Sequence, residues 1–173
     1  MRRVCAGICF VAVVAAGAVS TRADEQDIKT AAQKIFDHIG KAVEKKDIDG
    51  ITKYSLPDAT VKYADGSALT LNEWKDRARK GWARIKKTKS KFVVEGAKRA
   101  GGTAEATYTE THDMLVSDPK DGKDHKISYK GKWRVLLKET AEGWRLSKST
   151  ELERRVLRDG ELIDQWPKDK PKP

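Results

Sequence analysis

The chain has 173 residues, 36 of them Lys or Arg and 26 Asp or Glu, with 38% hydrophobic residues and a formal net charge of +10. That length holds one domain behind an export signal and excludes two sizeable cores. Five Trp, four Tyr and three Phe argue against disorder despite 36% charged residues, while five Pro and 13 Gly exclude a collagen-like or low-complexity chain.

Residues 1–23 read as a secretory signal peptide. Arg2 and Arg3 form its basic start, Val4 to Val19 is an uncharged apolar run, and Thr21-Arg22-Ala23 offers small residues for cleavage near Ala23. Ala16-Gly17-Ala18 is a competing cleavage site, and a retained N-terminal membrane anchor is the alternative to cleavage. Both cysteines, Cys5 and Cys9, lie in this segment, so the mature chain has no disulfide, thiolate metal site or cysteine nucleophile. An exported chain held together by its apolar core alone suits a periplasmic or secreted protein.

A single mature domain is expected over 24–166, followed by a flexible tail over 167–173. Ile28, Ala31, Ala32, Ile35, Phe36, Ile39 and Val43 lay one apolar stripe along a helix over 27–46, with Asp27 as its cap. The pattern stops at Asp47-Ile48-Asp49-Gly50, and a short helical stretch from Ile51 to Leu56 ends at Pro57. Thr60 to Tyr63 is a short strand with a tight hairpin turn at Asp65-Gly66. Thr70-Leu71-Asn72-Glu73 is a capping box. It opens a helix whose apolar residues, Leu71, Trp74, Ala78, Gly81, Trp82 and Ile85, share one side.

Strands follow. Phe92 and Val94 belong to the first, Gly101-Gly102 turns the chain, and residues 103–116 alternate with Ala104, Ala106, Tyr108, Glu110, His112, Met114 and Val116 on one face. After the polar loop 118–124, Ile127, Tyr129, Trp133, Val135 and Leu137 alternate with Lys130, Lys132, Arg134 and Lys138. Glu142-Gly143 leads into Trp144, Leu146, Lys148, Thr150 and Leu152 on one parity, and a last hairpin forms at Asp159-Gly160. Helix, hairpin, helix, then long strands predicts an α+β fold: a curved antiparallel sheet wrapped around N-terminal helices, a cone with a pocket.

The chain resembles the nuclear transport factor 2-like (cystatin-like, cone-shaped α+β) superfamily, which includes ketosteroid isomerases and polyketide cyclases. The resemblance rests on Lys46-Asp47-Ile48-Asp49-Gly50-Ile51 after the first helix, Asp58-Ala59-Thr60-Val61, Asp65-Gly66 before a capped helix, and Gly143-Trp144-Arg145-Leu146 opening the last long strand. It covers roughly residues 27–155 and implies a pocket between the sheet's concave face and the helices. Enzymes of the superfamily place a carboxylate base and hydrogen-bond donors there, while other members bind ligands or only oligomerise. A ketosteroid-isomerase catalytic set does not map onto these residues one by one, and the motifs speak to fold far more than to function.

Glu110 and His112 sit two apart on one strand, so both side chains leave the same face, among residues suited to burial. A carboxylate beside an imidazole in an apolar cavity is a candidate general base with its orienting partner, or a polar anchor for a ligand without chemistry. Lys148 and Thr150 share the inward parity of Trp144 and Leu146. Tyr54, Tyr63, Trp74, Trp82, Tyr108, Tyr129 and Trp133 are candidate pocket walls, with ordinary core the alternative for the two helix tryptophans. His38 and His125 read as exposed, no close histidine pair exists, and neither a metal nor a cofactor is expected.

The positive charge is concentrated. Removing Arg2, Arg3 and Arg22 leaves 33 basic against 26 acidic residues. Residues 75–91 hold nine basic residues (Lys75, Arg77, Arg79, Lys80, Arg84, Lys86, Lys87, Lys89, Lys91) against Asp76, which accounts for the whole excess. The segment reads as a basic amphipathic helix running into a basic loop, either a solvated face or a site for an anionic envelope lipid or polymer, with Lys75, Arg79, Lys80, Arg84, Lys86 and Lys87 as its contacts. Export excludes cytoplasmic nucleic acid as a partner. The outer sheet face mixes charges without an apolar centre, which predicts a monomer or weak homodimer. Three readings therefore stand: a pocket for a small, partly apolar molecule without turnover, an enzyme using Glu110 and His112, and an interaction module acting through the basic segment.

Overall fold

An apolar residue every third or fourth position, from Ile28 to Ala42, gives helix α1 (Arg22–Glu44) one buried stripe. The computed structural model describes residues 22–167, so the expected export segment up to residue 21 and the tail from 168 lie outside the described residues. Among the described residues no helix is long and apolar enough to cross a membrane. α1 begins more than a turn before its expected start. Asp27 is an exposed residue within it rather than its cap, and Asp24 and Glu25 place negative charge in the first turn.

The chain leaves α1 through Lys46, whose φ is 55°. Asp47 then caps the short helix α2 (Ile48–Thr52), its carboxylate accepting from the Gly50 N–H at 2.9 Å. The helical stretch expected over 51–56 therefore lies earlier, and Leu56 and Pro57 belong to strand β1 (Ser55–Lys62). Pro57 falls where the pairing of β1 with its neighbour is interrupted, between Ser55 and Thr60. Asp65 and Gly66, the latter at φ 90°, turn the chain into β2 (Ala68–Thr70) as expected. The capping box closes there too: the Thr70 N–H donates to Glu73 Oε2 at 2.8 Å and the Glu73 N–H to Thr70 Oγ1 at 3.3 Å, starting α3 (Leu71–Trp82).

Five more strands complete the sheet: β3 (Ile85–Ala100), β4 (Thr103–Ser117), β5 (Asp124–Thr140), β6 (Gly143–Arg158) and β7 (Glu161–Trp166). Ile85 opens β3 instead of ending α3, and the basic stretch after it is strand, not loop. The order across the sheet is β2-β1-β6-β5-β4-β3, with β7 also paired to β6. All neighbours run antiparallel except β1 and β6, which are parallel.

β3 is an edge strand, and α1 covers its free backbone groups. Gln33 bridges two of them, donating to the Phe92 carbonyl at 3.0 Å and accepting from the Val94 N–H at 2.9 Å. Lys29 donates to the Glu95 carbonyl, Lys46 to the Ile85 carbonyl, and Glu44 accepts from the Ser90 N–H. One helix thus buries its apolar stripe and also blunts an edge that would otherwise pair with another chain. The core lies between α1 and the concave face, where Ile28, Phe36 and Ile39 meet Val94, Ala104, Ala106, Val135 and Leu137. The alanines at 104 and 106 sit on the face beneath the helix, which lets it pack close.

Candidate functional site

Beyond the α1 contact the sheet curls away from the helices, and α3 bridges the gap without burying any residue fully. The space enclosed is about 250 Å³. Phe36, Ile39 and Val43 of α1, Leu71, Trp74 and Trp82 of α3, and Phe92, Tyr108, Met114 and Trp133 of the sheet make its walls mostly apolar. Trp74 and Trp82 are therefore half-buried wall residues rather than core, because α3 acts as a cover over a hollow.

Glu110 and His112 lie in this wall, as the alternation of β4 predicts. Their side chains are 13% and 16% exposed, and His112 Nε2 stands 3.6 Å from Glu110 Oε2. On the far side of the ring, Ser90 Oγ is 2.7 Å from His112 Nδ1. A proton on Nε2, facing the carboxylate, leaves Nδ1 to accept from the serine hydroxyl. Phe92 meets the ring edge-on with centroids 5.5 Å apart, and Tyr129 lies against it at 5.6 Å. The imidazole is thus fixed on three sides, and its carboxylate partner is fixed by the ladder that holds both residues. Thr88 Oγ1 lies in the same wall, buried and without a hydrogen-bond partner among the described residues.

A second buried acid, Glu151, escaped the sequence reading. It is 4% exposed, accepting from the Tyr129 hydroxyl at 3.1 Å, the Ala64 N–H at 3.1 Å and Arg154 at 3.0 Å. Trp133 Nε1 donates to the same tyrosine oxygen at 3.3 Å, so a chain of polar groups runs from the cavity wall to Glu151. Gly131, between Tyr129 and Trp133, makes room for it: a Cβ there would stand 2.8 Å from Trp133 Nε1 and closer still to the tyrosine oxygen. Burial pushes the Tyr108 and Tyr129 hydroxyls well above the usual tyrosine range, and the nearby Glu110 charge pushes the same way. Burial raises Tyr63 too, against the opposing charge of Arg77 over its ring. These phenols stay protonated, and that of Tyr129 donates to Glu151.

Several expected pocket residues lie elsewhere. Lys148 is exposed and Thr150 pairs with outward Arg134, because two register shifts in β6 put Ser149 and Glu151 inward in their place. Beside Leu146 the strand gains one residue, and a second beyond Glu151 restores the original parity, returning Arg154 and Val156 to the inner face. A lysine at a nominally inward position is the local sign of such a bulge. Tyr54 stands outside the cavity between His38, edge-on at 5.3 Å, and the Arg145 guanidinium at 5.5 Å. Tyr63 and Tyr129 back the wall through Trp133 instead of lining it.

His125 is not a free surface histidine. Asp159 holds its Nδ1 at 2.6 Å and Asp121 its Nε2 at 2.8 Å, which raises its pKa. His38 is likewise half-buried. Asp118, Asp121 and His125 bring three potential ligand atoms within 4.8 Å of one another, but Arg158 pairs with both carboxylates at 3.0 and 3.4 Å, so the group is an ion-pair clasp. Half of the expected anion contacts are occupied: Lys75 pairs with Asp49, Arg79 with Asp76, and Lys86 with Asp124. Lys80 and Arg84 lie on or just after α3, whereas Lys87 belongs to the outer face of the sheet.

No protein-family model matches the sequence, and no curated protein matches it. Solved structures do. A conserved protein from Planctomyces limnophilus is 12% identical, with a TM-score of 0.62 over 77% of this chain and 98% of that one. A nuclear transport factor 2-like superfamily protein from Salmonella enterica is 11% identical, with a TM-score of 0.60 over 73% and 91%. A ketosteroid isomerase-like protein from Erwinia carotovora is 11% identical, with a TM-score of 0.55 over 72% and 95%. At these identities the likeness is one of fold.

Proposed function

Taking the nuclear transport factor 2-like fold as the frame, we propose that this protein is an exported small-molecule-binding domain. Its cavity takes a compact, largely apolar ligand and fixes a protic group of that ligand on Glu110 and His112. One observation carries this reading: an imidazole and a carboxylate 3.6 Å apart, both mostly buried, in a wall made mostly of aromatic and aliphatic side chains. Sites of this composition owe affinity to the apolar lining and orientation to a few convergent polar groups. A dry cavity of about 150 Å³ accepts benzene, so 250 Å³ suits roughly ten non-hydrogen atoms, a substituted ring or a small bicycle. The unpartnered Thr88 hydroxyl is a third group that a ligand oxygen would satisfy.

A second reading is favoured by one feature, the Ser90 hydroxyl on His112 Nδ1, since a catalytic base needs that kind of orienting partner. In it, Glu110 takes a proton from the bound molecule, with His112, engaged at Nδ1 by Ser90, standing beside it as the orienting partner. The likeness in fold to a ketosteroid isomerase-like protein is compatible with either reading.

Native mass spectrometry of the protein purified from its own envelope separates them. A retained molecule of unchanged mass after incubation, lost from the Glu110→Gln and His112→Gln variants, supports binding without turnover. A bound molecule that converts over time, with conversion abolished and binding kept in Glu110→Gln, supports the enzyme. A protein that holds nothing, and that no ring-sized phenol or alcohol stabilises against heat, removes both. N-terminal sequencing of the same preparation reads the export expectation directly, with a start just after Ala23 as the result that fits.

A further inference from the structure

Residues 85–91 are strand, which places part of the basic segment on the outer face of the sheet. Along β3, Thr88, Ser90 and Phe92 face inward, so Lys87, Lys89 and Lys91 face outward and all three are exposed. The ladder aligns them with cations of other strands. Lys91 pairs with Thr111, Thr111 with Lys130, and Lys130 with Arg155, a single row across four strands. Lys126 sits at the end of the row that begins Lys87, Leu115. None of these six cations is in a salt bridge among the described residues; Asp113 stands among them, accepting from Ser128, and the next row borders them with Glu95 and Glu153 on either side of Lys132.

One feature of this patch is costly unless something anionic covers it. Lys130 and Arg155 face each other directly across the ladder, a like-charge pair that destabilises a sheet. An isologous dimer through this face would also set the six cations against themselves, so a second copy of the chain is a poor occupant. The patch spans about 14 Å across the strands and about 14 Å along them, taking 4.8 Å between strands and 3.4 Å per residue. It is a two-dimensional array without a groove. Leu115 and Leu157 lie half-buried among the charges, and Val93, next outward after Lys91, is 43% exposed. The outward positions of these rows carry no aromatic side chain on which a base could stack.

We propose that the outer sheet face around Lys89, Lys91, Lys130 and Arg155 docks on an anionic lipid bilayer. The Lys and Arg heads reach the headgroup plane while Val93, Leu115 and Leu157 contact its apolar margin. This surface lies on the opposite side of the sheet from the cavity, so docking leaves Glu110 and His112 free.

The test is co-sedimentation of the full chain with vesicles of phosphatidylcholine alone and of phosphatidylcholine with about one third phosphatidylglycerol. The quantity read is the excess binding to the anionic vesicles, compared between the parent and each variant, since any contribution of the N-terminal run and its arginines is common to all of them. Each cation near such a surface contributes roughly fivefold in affinity, so the triple variant Lys89→Gln, Lys130→Gln, Arg155→Gln should lower the excess about a hundredfold. About 0.5 M salt should abolish it. A helix variant, Lys80→Gln with Arg84→Gln, should keep most of it. Loss in the helix variant with retention in the sheet variant overturns the proposal, as does an excess indifferent to salt. Equal binding of a soluble sulfated polymer, with no preference among vesicles, assigns the face to polymers and overturns it too. Circular dichroism and a thermal melt on each variant confirm that the fold compared is the same one.

Discussion

Replacing Glu151 probes the reading of the inner face most directly. Its two oxygens serve three donors, the Tyr129 hydroxyl, the Ala64 N–H and Arg154, and its side chain is 1% exposed. Glu151→Ala leaves the Ala64 N–H and the tyrosine hydroxyl without their acceptor and takes one of two carboxylates from Arg154, whose other partner is Asp164 at 2.9 Å. Removing one member of a buried ion pair costs about 3–5 kcal/mol, and the surviving Asp164 contact places this case near the lower end. Glu151→Gln keeps an acceptor for the Ala64 N–H, and its amide can donate to the tyrosine oxygen, which has a second lone pair beside the Trp133 bond. That exchange loses charge assistance and leaves the Tyr129 O–H without its acceptor, about 1–2 kcal/mol. Urea unfolding followed by far-ultraviolet circular dichroism at neutral pH measures both. An alanine variant within 1 kcal/mol of the parent, or a glutamine variant as unstable as the alanine, would refute the idea that Glu151 gathers these three donors.

Gly131→Ala should destabilise by about 1–3 kcal/mol in the same assay, because the added methyl meets Tyr129 and Trp133; no loss would mean that the two side chains do not arch over this position. Gln33→Ala should cost about 1–2 kcal/mol and expose the β3 edge, read as concentration-dependent association by light scattering. The His125 clasp predicts a pH dependence. The pKa of His125 is raised by Asp159 and Asp121, against the opposing charge of Arg158, so its contribution is complete below about pH 6.5 and fades as pH rises through the raised value. Asp121 and Asp159 are lowered by their backbone and histidine bonds, so their contribution is complete above about pH 4 and fades as pH falls through the lowered values. The gap in melting temperature between the parent and His125→Asn should therefore be widest between about pH 4 and 6.5, and a gap constant to pH 9 would contradict the clasp.

The architecture was readable because its signals are local and periodic. The α1 stripe, the Thr70 to Glu73 capping box, the Asp65-Gly66 turn and the alternation of β4 each depend on a few neighbouring residues, and each stands in the structure as the sequence implies. Boundaries moved where two signals competed. Asp47 acts as a start for α2 rather than as part of a stop, and the lysines after Arg84 look like loop until β4 is present to pair with them. The parallel contact of β1 with β6 joins segments some ninety residues apart, which no window along the chain could show.

The site was readable to the same extent that its parity held. β4 pairs with β5 in unbroken register from Thr103 to Ser117, so Glu110 and His112 face the cavity as the alternation requires. β6 does not keep its register, and between its two shifts every side chain changes sides, exchanging Lys148 and Thr150 for Ser149 and Glu151. The exchange has a physical logic: an uninterrupted strand would have turned a lysine into the concave face, and its charge would have found no partner among Val135, Leu137 and Leu146. The bulge exports that charge and imports a carboxylate to a place where Tyr129, Ala64 and Arg154 can satisfy it. The same alternation that lines the hollow with aromatics lines the opposite face with lysines, so one run of β3 and β5 sequence specifies both a pocket and a charged exterior. A substitution that shifts the register of either strand would therefore damage both surfaces at once, whereas point changes on one face should leave the other intact.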